Sequence, residues 1–389
     1  MGAKALAVAI EKSTSLQYID LESNFVGVEG AKSLSGGIGK SVSLRAVFLG
    51  FNRITDDGAN ALAAGIENSV SLQTISLDRN EITNVGATAL AAAIEKSTSL
   101  QNVDLSKNEI ADAGATALAA AFEKSVSLRS TNLGGCQITD VGAKALAAAV
   151  EKSTSLQTVI LSHNQITDAG ATALATAIEK STSLQQIWLN DNKITDVGAA
   201  ALVFPIAKSK SLLNIDLNRN FISDAGASAL AAAVEKSKSI QEINLNRNKI
   251  TDEGAAAIAA AIEKCVSLKT NNQITDAGAK ALAAAIEKSV SLRRIDLSWN
   301  QIEDLGAKAL AASIEKSVSL HSLKLDGNRL SGDGALLLRR SWTARAARLS
   351  LLGLFGAESR EQSSPARHLL FRDGNHHIMT IVLQCLLPL

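Results

Sequence analysis

One feature constrains this chain more than any other: a 28-residue beat. The leucine of a recurring Ser-Leu pair stands at Leu16, Leu44, Leu72, Leu100, Leu128, Leu156, Leu184 and Leu212, each 28 residues after the last. Ile240 and Leu268 keep the period. The next step, to Leu292, is 24 residues, and Leu320 restores 28. A period of this length marks a stack of about twelve supersecondary units in which each buries its apolar face only against its neighbours. The 389 residues therefore need not divide into two or three separate cores, as a non-repeating chain of that length would.

Each unit carries two hydrophobic periods. In Ser99–Val126, the residues Leu100, Val103 and Leu105 close to alternation, which is the pattern of a short strand. Asn102, Asp104 and Ser106 then point the other way. Past Asp112 and Gly114 the period becomes helical: Ala115, Leu118, Ala119 and Phe122 share one face. The Thr-Asp before the glycine, Thr55-Asp56 in an earlier unit, is expected to cap the helix. A strand joined to a helix and repeated in one direction gives an α/β solenoid. Strands stack at about 4.8 Å and helices at about 8–10 Å. That mismatch bends the stack into a horseshoe, with a parallel β-sheet on the concave face and α-helices on the convex face. Hydrophobic residues make up 46% of the chain but aromatics only 3%, so the layers are filled by small aliphatic groups.

An asparagine recurs where each strand ends, at Asn24, Asn52, Asn80, Asn108, Asn164, Asn192, Asn220, Asn248, Asn272, Asn300 and Asn328. Turned inward, its amide can donate and accept, and so can tie its own loop to the next. Cys136 takes this place in the fifth unit, which gives it a packing role rather than a reactive one.

These residues carry a resemblance. L-x-x-L-x-L-x-x-N, as in Leu72–Ile75–Leu77–Asn80, followed by I-T-x-x-G-A-x-A-L, resembles the ribonuclease-inhibitor-like class of leucine-rich repeats. Within that class it looks most like the repeat region of NOD-like receptors, here without a nucleotide-binding domain. The likeness spans residues 1–334. It implies recognition of a partner on the concave face or its rims.

The chain departs from its own pattern in several places. Met1 falls inside a helix, so the start reads either as a fragment of a longer array or as a first helix serving as cap. The unit at 268–274 lacks four residues; aligned on Leu268, the missing ones stand where Ile243 and Leu245 stand in the unit before, so a thin or interrupted sheet is expected there. Pro205 should shorten or kink its helix. Gly36, Gly37 and Gly39 each weaken theirs by about 1 kcal/mol relative to Ala. Residues 335–389 keep neither period. Ala335 to Leu338 could finish one last helix, and the remainder reads as a poorly ordered tail, an irregular cap or an out-of-frame stretch.

Composition and motifs exclude several functions. A net charge of +1 gives no bulk attraction to nucleic acid or an anionic membrane. The cysteines, Cys136, Cys265 and Cys385, are odd in number and far apart, which suits a reducing compartment. No leader pattern and no long apolar run appears, so a cytoplasmic location is expected. Gly36-Gly37-Ile38-Gly39-Lys40-Ser41 imitates a phosphate loop, but the first glycine of that motif would fall on Leu34, and the segment follows a helix instead of a strand. The five histidines form no metal-ligand spacing. No nucleophile elbow is present, and acidic residues that recur in every unit serve capping and solvation. The chain reads as a non-enzyme with no cofactor, no metal and no small-molecule substrate.

Function is expected where the units differ. The helical side is nearly constant, whereas outward strand positions vary: Asp20, Phe48, Ser76, Asp104, Asn132, Ile160, Trp188, Asp216, Asn244, Asp296 and Lys324 form one column. The strand exits hold Arg79, Lys107, His163, Asp191, Arg219, Arg247 and Trp299. Aromatic and arginine side chains dominate binding hot spots. Ile160, Trp188, Asp216, Arg219 and Arg247 are the expected centre of a protein-binding patch. The alternatives are a regulator of an enzyme, such as a Ran-type GTPase-activating protein, and a duplicated repeat array with no dedicated partner.

Overall fold

The computed structural model describes residues 2–261, 267–269 and 272–351. They form two compact bodies, residues 1–221 with 236–240 and residues 222–235 with 241 onward.

In the first body helix and strand alternate: α1 (Gly2–Lys12), β1 (Tyr18–Asp20), α2 (Gly27–Lys40), β2 (Ala46–Phe48), α3 (Thr55–Asn68), β3 (Thr74–Ser76), α4 (Asn84–Lys96), β4 (Asn102–Asp104), α5 (Ala111–Lys124), β5 (Ser130–Asn132), α6 (Asp140–Lys152), β6 (Thr158–Ile160), α7 (Asp168–Lys180), β7 (Gln186–Trp188), α8 (Asp196–Lys208) and β8 (Asn214–Asp216). In the second come α9 (Asp224–Lys236), β9 (Glu242–Asn244), α10 (Asp252–Ala261), β10 (Ser267–Lys269), α11 (Asp276–Lys288), β11 (Arg294–Asp296), α12 (Asp304–Lys316), β12 (Ser322–Lys324) and α13 (Gly332–Leu351). Within each body the strands are parallel and pair in chain order, Val47 opposite Ile75 and Ile75 opposite Val103. This is the α/β solenoid that the two hydrophobic periods imply.

A three-residue strand holds because its central side chain is buried in the sheet–helix layer while its neighbours point away. Val47, Ile75, Val103, Val159, Ile187 and Ile215 are all buried, as are Leu62, Leu90, Leu118 and Leu146 on the facing helices. Each such side chain contributes about 1.5–3 kcal/mol. Thr131 occupies this layer in β5, and its buried hydroxyl has no partner.

Two ladders of side chains fix the stacking. In the first, Asn80 Oδ1 accepts the N–H groups of Asn52 and Ile54 in the preceding unit, and its amide donates to Leu49 O. Asn108 does the same toward Asn80, Ile82 and Leu77. Cys136 can fill only part of this role, its Sγ donating weakly to Leu105 O at 3.3 Å. Burial pushes its thiol pKa up to about 12, so it stays protonated and inert at neutral pH.

The second ladder is made by aspartate. Asp56 Oδ1 accepts the N–H groups of Thr83 and Gly86 in the next unit, and Oδ2 accepts the Thr83 hydroxyl. Thr83, thus held extended, caps α4 by accepting the Val85 N–H. Asp112, Asp140 and Asp168 repeat the clamp on Thr139, Thr167 and Thr195. The glycine is required because a Cβ at Gly86 would lie 2.6 Å from Asp56 Oδ1. Aspartate therefore does not cap its own helix; it positions the threonine that caps the next one. The Thr55-Asp56 pair read as a cap is an exception: α3 opens with Thr55 at φ 55° and no side-chain cap.

Other expectations are corrected. Pro205 does not shorten α8, which has 13 residues like α6 and α7. It removes one backbone donor, while buried Leu202 and Ile206 and the Ser209 N–H bonded to Pro205 O hold the last turn. The short unit does not interrupt the sheet of the second body. Leu268 stands opposite Ile243 and Ile295, so β10 is intact and the missing residues come from around the strand. Asn272 still accepts from Asn248 N–H at 2.8 Å. Gly37 sits where a Cβ would lie 2.5 Å from Ala7 O, so a close α1–α2 approach explains that helix-weakening residue. The last helix does not stop near Leu338; α13 continues to Leu351. Its buried Arg345 donates from Nε to Ser317 O at 3.0 Å, Arg348 donates to Lys316 O and Ser317 O, and Ser341 donates to Glu315. These arginines satisfy carbonyls at the end of α12. Residues beyond 351, with Cys265 and Cys385, lie outside the described residues.

Candidate partner-binding surface

The outward positions of the first body's sheet form columns because the register between neighbouring strands never slips. Ile160 stands beside Trp188, and Trp188 beside Asp216. Trp188 is 40% exposed and Ile160 half-buried, so the two present an apolar spot on a face that is otherwise mostly polar. A large aromatic left in this state is the kind of group that gains most from a partner.

Next to this spot, at the strand exits, Asp191 holds two neighbours at once. Its Oδ2 lies 3.0 Å from His163 Nδ1 and 3.1 Å from Arg219 Nη1. Ser162 donates to Asn190 Oδ1 at 2.5 Å. The structure thus brings together four expected residues, Ile160, Trp188, Asp216 and Arg219, and adds Asp191 and His163. Sequence columns contained both additions, but nothing in a column tells which acid orients which base. Arg247, the fifth expected residue, belongs to the second body, where it is exposed at the equivalent strand exit.

The strand-exit column has a backbone signature that the sequence did not announce. Arg79, Lys107, His163, Asp191, Arg219, Arg247 and Trp299 all sit at φ between 51° and 59°, and Gly135 and Gly327 take the same place at 69°. Side chains there splay from a tight left-handed turn, a conformation costing about 1–2 kcal/mol for residues other than glycine.

A second aromatic group was missed. Tyr18 and Phe48 meet with ring centroids 5.0 Å apart, Arg53 lies 5.2 Å from the centroid of the exposed Phe25, and Phe51 is exposed. Its signal was the concentration of aromatics in the first two units of an aromatic-poor chain.

Among the described residues, no group of three or more His, Cys, Asp or Glu side chains could hold a metal ion. No described helix is long and apolar enough to cross a membrane. A depression of about 400 Å³ lies among Thr98, Gln101, Ser127, Arg129, Thr154 and Gln157. Its mainly polar lining is unlike the apolar enclosure of most small-molecule sites.

A leucine-rich-repeat model matches residues 12–35, 40–63, 68–91, 96–119, 124–147, 208–231, 236–259, 266–283 and 288–311, and a two-copy leucine-rich-repeat model matches 154–202. The chain belongs to the leucine-rich-repeat family. No curated protein matches it. Two solved structures show the same repeat fold at low identity. An internalin from Listeria monocytogenes str. 4b F2365 aligns at a TM-score of 0.50 and 18% identity, over 86% of this chain and 92% of the other. A chain of the Rad7–Elc1 complex of yeast aligns at 0.53 and 14%, over 85% and 84%. Leucine-rich repeats are in general scaffolds for protein–protein contact, with variable side chains on a constant frame. In this leucine-rich-repeat protein, the strand exits around Asp191 carry side chains that vary from unit to unit.

Proposed function

We propose that the chain is a non-enzymatic interaction module that binds a partner protein on its strand face. Ile160, Trp188, Asp216 and Arg219 form the centre, with Arg219 held by Asp191, and Arg247 is a separate candidate contact on the second body. The observation that carries this reading is the half-exposed Trp188, flanked by Ile160 and by an arginine already held in place through Asp191. Pre-ordering Arg219 lowers the entropy lost on binding. The setting we favour is cytoplasmic, and of the ribonuclease-inhibitor or NOD-like-receptor type by the repeat pattern alone. The Ran-type regulator has no observation in its favour.

A photo-crosslinking residue placed at 188 tests this, with the same residue at Ala92 on the outer side of α4 as control. A protein crosslinked from 188 and not from 92, and lost when Arg219→Glu is added, supports the reading. Equal products from both positions, or products indifferent to Arg219→Glu, overturn it.

A further inference from the structure

We infer a second docking surface, on the helical side of the first body at α8 and the turn after α9, that takes an acidic peptide segment of a partner protein anchored by one apolar side chain. In α2 and α4–α7 of that body, the charges at the helix ends are paired across units. The terminal Lys of one helix bonds the Glu one unit back: Lys40 to Glu11, Lys96 to Glu67, Lys124 to Glu95, Lys152 to Glu123 and Lys180 to Glu151, at 2.8–3.0 Å. Where the rung fails at Asn68, both partners are gone together, because Gly39 replaces the acid. The outer surface stays neutral there.

At α8 only the acid is gone. Ala207 stands where Lys236 would find its Glu, so Lys236 is left without a counter-ion. Lys208 lies over the ring of Phe204, 5.9 Å from its centroid, and forms no ion pair with Glu179. The turn residue two places on is Thr or Val in the other described units, and here it is Lys210 and then Lys238. The two turns are joined: Ser239 donates to Ser209 O at 2.8 Å, which sets Lys208, Lys210, Lys236 and Lys238 on one exposed edge. None of the four has a carboxylate partner among the described residues. Phe204, 54% exposed, rises one turn away in a column that is otherwise Ala, Gly, Thr or Val in the first body.

Four uncompensated cations around one protruding ring complement an acidic strip carrying an apolar residue. A lipid surface would draw on several apolar anchors, and only one is built here. The chain's net charge of +1 means that the attraction is local to this edge.

The test uses the full chain and a short fluorescein-labelled peptide of Asp and Glu with one central Leu, read by anisotropy. The comparison variant returns four positions to their repeat counterparts: Phe204→Ala, Ala207→Glu, Lys210→Thr and Lys238→Thr. All are surface changes toward residues that other units carry, and circular dichroism verifies the fold. The expected result is salt-sensitive binding that weakens at least about tenfold in the variant. Lys124→Thr with Lys152→Thr, which remove paired lysines elsewhere, should leave it unchanged, as should Trp188→Ala on the strand face. Absence of peptide binding, equal binding by the variant, or an equal loss in the paired-lysine control overturns the inference. So does a preference, lost in the variant, for phosphatidylserine vesicles or a single-stranded oligonucleotide over the peptide.

Discussion

Two kinds of loop enter the helices of the first body, and what separates them is one residue in the unit before. Thr83, Thr139, Thr167 and Thr195 are held by Asp56, Asp112, Asp140 and Asp168, and their φ angles lie between −97° and −106°. Thr55 and Ala111 follow units that carry Val28 and Asn84 instead, and there φ is 55° and 50°. In the unclamped loops the N–H of that residue turns to the next unit, Thr55 to Asn80 O and Ala111 to Cys136 O. In clamped loops the ladder instead runs backwards, as Glu109 N–H to Ile82 O. The cap of a helix in this solenoid is thus a property of the pair of units. Thr55 has the right side chain and does not cap, because nothing holds it extended.

Breaking a clamp should have the largest effect. Asp140→Ala removes the acceptor of the Thr167 N–H, the Thr167 hydroxyl and the Gly170 N–H together. The expected cost is about 2–3 kcal/mol in urea unfolding, since partly buried donors lose their partner and not merely a contact. Hydrogen exchange should quicken at Ala169 and Gly170 before it does in β7. A loss under about 0.5 kcal/mol would mean that the clamp is ornamental. Building one is the converse. Val28→Asp should draw Thr55 to negative φ and let it cap α3, a gain of about 1 kcal/mol from the cap and the relieved backbone, less the burial that Val28 loses. The three-bond H–Hα coupling of Thr55 reports the change directly. An unchanged coupling would show that the Asn80 carbonyl, not the missing acid, sets the loop.

The strand, the helix, the asparagine ladder and Cys136 as its substitute follow from periodicity and hydrogen-bonding capacity, both local properties that a single unit displays. The aspartate clamp was hidden because its two ends are 27 and 30 residues apart and Asp before a helix has a ready local explanation as a cap. The short unit misleads for a related reason: its Ser-Leu motif places Leu268 before the strand, whereas the backbone uses it as the central strand residue opposite Ile243. The candidate surface was half legible. Columns of variable residues named Trp188 and Arg219, but the bridging of His163 and Arg219 by Asp191 depends on rotamers across three units. Phe204 and the lysines carry no periodic signal: each is a single departure on a helical side that varies little from unit to unit.

Acid separates a smaller part of the clamp. Burial pushes the Asp112 carboxyl up, but hydrogen bonds from the Thr139 hydroxyl, the Thr139 N–H and the Gly142 N–H outweigh it and hold the group below its ordinary 3.8. The folded state therefore binds this proton less readily than the unfolded chain, and the stabilisation is in place above pH 3.8 and lost as pH falls through the lower folded value. Against Asp112→Asn, the wild-type advantage should be flat at neutral pH and shrink only below about pH 4. An advantage that fades between pH 5 and 7 would place the titration elsewhere.

The smallest effect is expected where a clamp exists and half of it is unused. In the second body Asp276 accepts the Glu303 N–H at 2.7 Å, but Glu303 has no hydroxyl to give to the other carboxylate oxygen, and its side chain makes no cap. Its φ of −110° is nevertheless that of the clamped loops. The N–H bond to aspartate is thus enough to set the backbone, and the hydroxyl adds only the second bond and the cap. Glu303→Thr should stabilise by about 0.5 kcal/mol, the low end for a cap because the site is exposed, and leave the loop conformation as it is. A gain as large as that of Val28→Asp would assign most of the clamp's worth to the threonine hydroxyl. No gain at all would assign it to the aspartate and the backbone alone, and would make Thr55 a bystander whose loop is decided wholly by the residue at 28.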